Sequence, residues 1–184
     1  MKNKVLDCIY KRRSIRKYKD KKVPKKLIEE LLNCAVMAPS ARNTQPWHFT
    51  IVEDKEKINY FGEMALKQLK VLGLLVKYGL KLSKGAESIF YNAPLLIFIS
   101  GKKNYKWLKD DVNLAVQNMF LAAHSLGMGS CWIGLARPLN KNKKVKKELG
   151  IPENFDIVAP LIFGYPEKKI DRIPKREPKI LKWI

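Results

Sequence analysis

Arg12-Arg13-Ser14-Ile15-Arg16 sets three guanidiniums and a hydroxyl within five residues. Guanidinium forks match the oxygens of a phosphate and a serine hydroxyl adds a donor, so the cluster is suited to an anion. A solvated basic loop has the same composition. A second segment, Pro39-Ser40-Ala41-Arg42-Asn43-Thr44-Gln45-Pro46-Trp47, holds small and amide side chains between two prolines. Its amides both donate and accept, as the edge of a heterocyclic ring requires, although a polar loop capping a helix would look alike. A third, Gly127-Met128-Gly129-Ser130-Cys131-Trp132-Ile133-Gly134, lets backbone approach a ligand where side chains are missing. It is not a dinucleotide fingerprint, because Trp132 stands where G-x-G-x-x-G needs its last glycine and the segment follows a helix. Gly101-Lys102-Lys103 lacks the upstream glycine of a phosphate-binding P-loop.

Other catalytic constellations find little support. His48 and His124 are the only histidines, and neither has partners at triad or metal-site spacing. Both read as structural, His48 in a strand beside Trp47 and His124 on an apolar helix. Cys8, Cys34 and Cys131 lie far apart and form neither a Cys-x-x-Cys pair nor a zinc spacing, so each is expected to be a small buried hydrophobe.

With 184 residues, 46% of them hydrophobic, the chain suits a single domain spanning 1–184. Its net charge of +20 invites a nucleic-acid reading. The lysines are scattered from Lys2 to Lys182 and make no aromatic-interleaved stripe, so a Lys-rich solvated surface is the reading and no specific nucleic acid is expected. No basic-then-apolar leader opens the sequence, and the apolar run from Pro94 to Ile99 is far shorter than the ~20 residues of a membrane span. A cytoplasmic protein without membrane contact is expected.

The elements that must position these segments follow from periodicity. Val5, Leu6, Ile9 and Tyr10 share one face of a short helix. Pro24 opens a second, whose stripe Leu27, Ile28, Leu31, Leu32, Ala35 and Val36 should pack deep, with Pro39 ending it. Trp47–Val52 reads as a strand, and Asp54 can cap the charged helix that follows. Phe61 to Ser88 is helix-like but broken by Gly62, Gly73, Gly79 and Gly85, a mobile cover or a helical hairpin. Pro94–Ile99 is a central buried strand, Asp110–Ser125 a long helix stopped by Gly127, and Ser130–Ile133 a strand. Lys141–Leu149 is a short basic helix and Asp156–Phe163 another strand. Ile180-Leu181-Lys182-Trp183-Ile184 ends a polar tail as an apolar arm that can add to a partner's sheet.

In this order and spacing, the three segments resemble the nitroreductase family of FMN enzymes. Asp111 to Gly134 is similar to that family's core helix and following strand. Phe163-Gly164-Tyr165-Pro166 with Pro174-Lys175-Arg176 resembles its C-terminal end, so nearly the whole chain is covered. The resemblance implies an α+β fold, a mixed β-sheet surrounded by helices, in an intertwined homodimer with two shared FMN sites. By position, Arg12, Arg13 and Ser14 match phosphate and ribityl contacts, and Lys175 and Arg176 further phosphate partners. Arg16 matches the basic residue near flavin N1 and O2. Pro39, Ser40, Ala41, Asn43 and Gln45 match the loop that reaches the other subunit's flavin. Trp132, Ile133, Gly134 and Leu135 match the segment beneath the ring, whose backbone donor lies near N5. The implied activity is ping-pong electron transfer from NADH or NADPH through FMN to nitro compounds, quinones or similar small acceptors. The flavin N5 would carry the chemistry, with no catalytic side chain and no metal, and Arg16 would give electrostatic support. Dehalogenation or enone reduction on the same fold is the nearest alternative; flavin storage or basic nucleic-acid binding is the alternative from another class. Phe61–Ser88 is shorter than the insertion of the family's larger members, and their ring-contacting Asn and Lys find no matched position.

Overall fold

A computed structural model of the chain describes residues 3–71, 89–168, 170 and 173–184. At its centre, strand β2 (Leu95–Lys102) is buried from Leu95 to Gly101. Successive side chains of a strand point to opposite faces, and β2 uses both. Leu96 and Phe98 join one apolar cluster, while Leu95, Ile97 and Ile99 join another. Antiparallel partners flank it: β1 (His48–Val52) on one side and β4 (Phe155–Gly164) on the other, with β3 (Gly129–Trp132) outside β4. The order is β1-β2-β4-β3. The α+β expectation holds; these four strands are all antiparallel, and a parallel pairing occurs outside them, in the isolated bridge between Ser14 and Ser130.

Pro160 lies inside β4 and removes a ladder donor. The sheet accommodates it with a register shift, in which Ile99 faces Ala159 but Ser100 faces Ile157. Val158 is thereby left out of the ladder, and its carbonyl accepts from Arg137 Nε at 3.2 Å. The Pro160 carbonyl takes the Ile133 N–H at 2.9 Å.

Helices cover both faces. On one, α2 (Lys25–Val36) buries Ile28, Leu31 and Ala35 against α4 (Leu108–Ser125). The buried stripe of α4 carries Leu108, Val112, Ala115, Val116 and Met119, and Asp111 falls on it. Gly127 ends this helix at φ 72°, and the Met128 N–H returns to the Ala123 carbonyl at 2.8 Å. On the other face lies α3 (Lys55–Val71), capped by Asp54, whose Oδ1 accepts the Lys57 N–H at 2.9 Å. The expected break at Gly62 does not occur: Gly62 is buried within a continuous helix, where the missing side chain permits close packing. The rest of the Phe61–Ser88 expectation, from residue 72 to 88, lies outside the described residues. Between β3 and β4 the structure adds an unanticipated 3-10 helix, Gly134–Lys141, so the basic helix α5 is shorter than expected, Lys143–Glu148.

Helix α1 (Lys4–Lys11) is capped by the Asn3 side chain and buries none of its residues. Its apolar face, Val5, Leu6, Ile9 and Tyr10, is exposed, as are Ile180, Leu181, Trp183 and Ile184 of the tail. Only Cys131 is a fully buried thiol; Cys8 and Cys34 are half-buried, which corrects the expectation for those two. No helix among the described residues is long and apolar enough to cross a membrane.

Candidate functional site

The Arg-rich turn is clamped along the edge of the sheet. Ile15 donates its N–H to the Ser130 carbonyl at 3.0 Å, Lys19 to that of Tyr165 at 2.8 Å, and Glu167 to that of Lys17 at 3.2 Å. The Tyr18 hydroxyl donates to the Ile15 carbonyl at 2.8 Å. Gly129 makes the close approach possible, because a Cβ there would lie 2.5 Å from Ile15 Cγ1 and 2.7 Å from Ile15 Cβ. The turn is therefore placed by backbone pairing.

The Arg12 and Arg13 side chains line a cavity of about 640 Å³, within the roughly 300–1,000 Å³ typical of small-molecule sites. Lys11, Arg12, Arg13, Lys19 and Lys168 line it, against one carboxylate, Glu167. Arg12 lies over the Phe120 ring at 5.5 Å, and its buried Nη1 has no hydrogen-bond partner among the described residues. Burial, then the repulsion of Arg13 and Arg176, pulls the Arg12 guanidinium below its ordinary range. His124 is likewise held down by burial and then by Arg12, Arg13 and Lys11. A buried donor among like charges is costly, and an anion would relieve both penalties. Arg176 is thus close enough to act on Arg12, whereas Lys175 is turned to Glu177 at 2.8 Å in an exposed pair.

Ser14 and Arg16 are outside the cavity lining, and their electrostatic influence falls on Cys131 and Tyr18. Burial pushes the Cys131 thiol up, against the opposing pull of Arg16, a Ser14 hydrogen bond and Arg12. Burial likewise raises the Tyr18 phenol, with Arg16 opposing. Arg16 itself is exposed.

The second segment is a strained, tightly held loop. Arg42, Asn43 and Gln45 adopt φ of 55°, 53° and 46°, in the left-handed region that costs a non-glycine residue about 1–3 kcal/mol. Asp111, 4% exposed, opposes that strain: Oδ1 accepts the Ala41 N–H at 3.2 Å and Oδ2 accepts the Tyr105 hydroxyl at 2.7 Å. The Tyr105 oxygen lies 2.6 Å from Thr44 Oγ1, which itself donates to the Ala41 carbonyl. Ser40 Oγ accepts the Gln45 N–H at 3.0 Å, and Gln45 Nε2 donates to Asn43 Oδ1 at 3.3 Å. Pro39, Asn43 and Gln45 are exposed on this frame, and Ser40 and Ala41 are half-buried.

In the third segment the glycines divide the work. Gly127 turns the chain and borders the cavity, and Gly129 seats Ile15. A Cβ on Gly134 would meet nothing within 4 Å, so open space remains there. Ile133 is buried; Trp132 and Leu135 are half-buried, with the Arg137 guanidinium over the Trp132 ring at 5.7 Å.

The loop and the cavity sit at different levels along α4. The loop is fixed at Asp111, near the start of α4, and Arg12 rests on Phe120, near its end. At ~1.5 Å per residue these anchors are roughly 14 Å apart along the helix axis.

Sequence reasoning missed the Asp111–Tyr105 hub and the place of His124 on the cavity wall. A signal for the first was present: Asp111 is a carboxylate at a core register of an apolar helix, between Leu108 and Ala115. His48 is exposed, with its ring 4.7 Å from that of Phe155. No group of three or more metal-ligating side chains occurs among the described residues.

Comparison with known proteins places this geometry. A protein of Archaeoglobus fulgidus, provisionally named an NADH dehydrogenase/NAD(P)H nitroreductase, is 35% identical over 90% of this chain and 87% of its own length. The iodotyrosine deiodinase of Thermotoga neapolitana is 29% identical over 93% of each chain. Among solved structures, the nitroreductase with bound FMN from Bacteroides fragilis is 30% identical and superposes with a TM-score of 0.84 over 99% of this chain and 98% of that one. A match to the Nitroreductase family extends over residues 9–165, and with it the chain belongs to the nitroreductase family.

Proposed function

We propose that this protein binds FMN at the Arg12 cavity of one subunit, completes the site with the Ala41–Gln45 loop of a second copy, and passes electrons from NADH or NADPH to small organic acceptors. The observation that carries the reading is the buried Arg12 Nη1, without a hydrogen-bond partner among the described residues, in a cavity lined by five cations. The names of the relatives and the FMN in the B. fragilis structure point the same way.

Arg12 and Arg13, with Arg176 behind them, would hold the phosphate, and Lys175 would join them by leaving its exposed pair with Glu177. Ser14 would meet the ribityl chain, exchanging its contact with Cys131 for the ligand. Arg16, exposed and free of ion pairs among the described residues, would stand at the N1 and O2 edge, where negative charge develops on reduction. The framed loop, Pro39, Ser40, Ala41, Asn43 and Gln45, would present its amides to the partner's ring. Trp132, Ile133, Gly134 and Leu135 would lie beneath the ring, with the open space at Gly134 leaving room for it. Bound FMN would supply hydride acceptance and electron delivery, so that no side-chain nucleophile is required. Donor and acceptor would use one place in turn, giving ping-pong kinetics.

Two features support the second copy. The separation of loop and cavity along α4 calls for a partner's loop. The exposed apolar face of α1 and the apolar tail Ile180–Ile184 are surfaces that a second chain can cover. Free thiols suit a reducing, cytoplasmic location. The deiodinase relative makes reductive dehalogenation the second reading for the acceptor.

Anaerobic titration tests the proposal. The purified protein should be yellow, bleach with NADH or NADPH, and regain colour with a nitroaromatic or quinone. A protein that takes up no FMN when reconstituted would overturn it.

A further inference from the structure

A second cavity, of about 450 Å³, opens where β2 leads into α4. Lys103, Lys106, Lys109 and Arg137 line it. None of these four cations is in an ion pair among the described residues. The one carboxylate on its wall, Asp156, accepts from Asn140 Nδ2 at 2.8 Å, one negative charge against four positive ones. Leu108 and Lys109, which open the 18-residue helix α4, also line it, so the positive end of the helix dipole adds to the same field. A concave surface with this charge selects an anion, and its volume exceeds what a single inorganic ion fills.

The cavity adjoins two segments expected to face flavin, the loop that reaches the partner's ring and the Trp132 segment beneath the chain's own. Tyr105, on its wall, is hydrogen-bonded to Thr44 and Asp111, which fix the loop. Arg137, also on its wall, is tied by Nε to the Val158 carbonyl and lies over the Trp132 ring. The bulge beside Pro160 thus fixes where this guanidinium projects.

We infer that this cavity is the phosphate subsite for the electron-donating dinucleotide, with Lys103, Lys106, Lys109 and Arg137 receiving its anionic groups. The inference rests on the flavin reading above. It assigns donor recognition to residues that are separate from the Arg12 cluster and that leave FMN binding untouched. Both the diphosphate bridge and a 2′-phosphate have the required chemistry, and two probes separate them.

The test compares three FMN-loaded proteins: wild type, the triple variant Lys103→Gln/Lys106→Gln/Lys109→Gln, and a charge control, Lys22→Gln/Lys25→Gln/Lys26→Gln. Binding of ADP-ribose and 2′-phospho-ADP-ribose is measured by calorimetry at low salt, and KM for NADH and NADPH at fixed acceptor. All six lysines are exposed, so folding should be retained. The first variant should lose about tenfold in affinity for the probes and gain about as much in KM, with FMN content and kcat near wild type and the control unchanged. Equal losses for both probes assign the diphosphate; a larger loss for the second assigns the 2′-phosphate. Wild-type affinity in the cavity variant, or an equal loss in the control, overturns the inference. So does a KM effect confined to an anionic acceptor such as nitrobenzoate. A wild type that takes up no FMN would fail the flavin reading instead, and the probe arm would still read the cavity.

Discussion

Asp111→Ala is the most informative single perturbation, because it acts on the loop without touching the ligand. The carboxylate takes the Ala41 N–H and the Tyr105 hydroxyl, and its removal leaves both donors without their acceptor. Stranding a buried donor costs about 1–3 kcal/mol, so two give roughly 2–4 kcal/mol when Tyr105 keeps part of its bond to Thr44. Losing an acid from the first turn of α4 adds about half a kcal/mol, typical of a helix-dipole contribution. The fold should survive, since a domain has about 5–15 kcal/mol in hand and the apolar clusters do not depend on this loop. The melting temperature should fall by roughly 5–15 °C. Strain at Arg42, Asn43 and Gln45 would then be released, and the loop would leave its left-handed geometry. Hydrogen exchange should show faster exchange at amides 41–45, and FMN affinity should fall at least about tenfold, while Asp111→Asn, which keeps one acceptor, should fall between. Unchanged protection at 41–45 together with wild-type FMN affinity would refute the argument that Asp111 sets the loop.

Other outcomes follow from the same geometry. Arg12→Ala should weaken FMN by about 10–100-fold but leave riboflavin, which lacks the phosphate, nearly unaffected; equal losses for both would remove Arg12 from the phosphate. Arg16→Ala should keep the fold, weaken FMN and lower the flavin potential, and spectroelectrochemistry decides whether both occur. His124 is held below the ordinary imidazole value of about 6.5 by burial and then by its cationic neighbours, so the unfolded chain takes up a proton that the folded chain refuses. Stability should therefore fall as pH drops through about 6.5, and His124→Gln should flatten that slope in thermal melts. A phosphate in the cavity would offset the repulsion and raise the His124 pKa, so FMN should bind tighter as pH falls toward 6. Gly129→Ala would drive a methyl into Ile15, costing about 1–3 kcal/mol and displacing the turn; wild-type stability and FMN content would contradict the clamped geometry.

Much of the fold was legible because its signals are local. The unbroken apolar run of Pro94–Ile99, the stripe of α2 and the stop at Gly127 each depend on residues a few positions apart. The Gly62 break failed because tertiary packing outweighs a helix penalty of about 1 kcal/mol when the glycine is buried. The Arg-rich turn could be read as an anion site, but its clamp could not, since Ser130 and Tyr165 are remote in sequence. The loop could be located, yet its rigidity comes from Tyr105 and Asp111, whose partnership no short motif encodes. Likewise the exposed face of α1 has the spacing of a core face; only the structure shows that its own chain does not cover it.

Helix α1 has a thermodynamic consequence. It is eight residues long, a length at which an isolated helix is marginal in water, and Arg12 is its C-terminal cap. In the two-chain reading, a partner both orders this helix and fixes the residue that meets the phosphate. Association and cofactor capture then share one free-energy cycle, so each must strengthen the other by the same factor. Dilution would release FMN as the subunits part, and excess FMN would hold dilute chains together, with protein concentration acting as an effector of the flavin site.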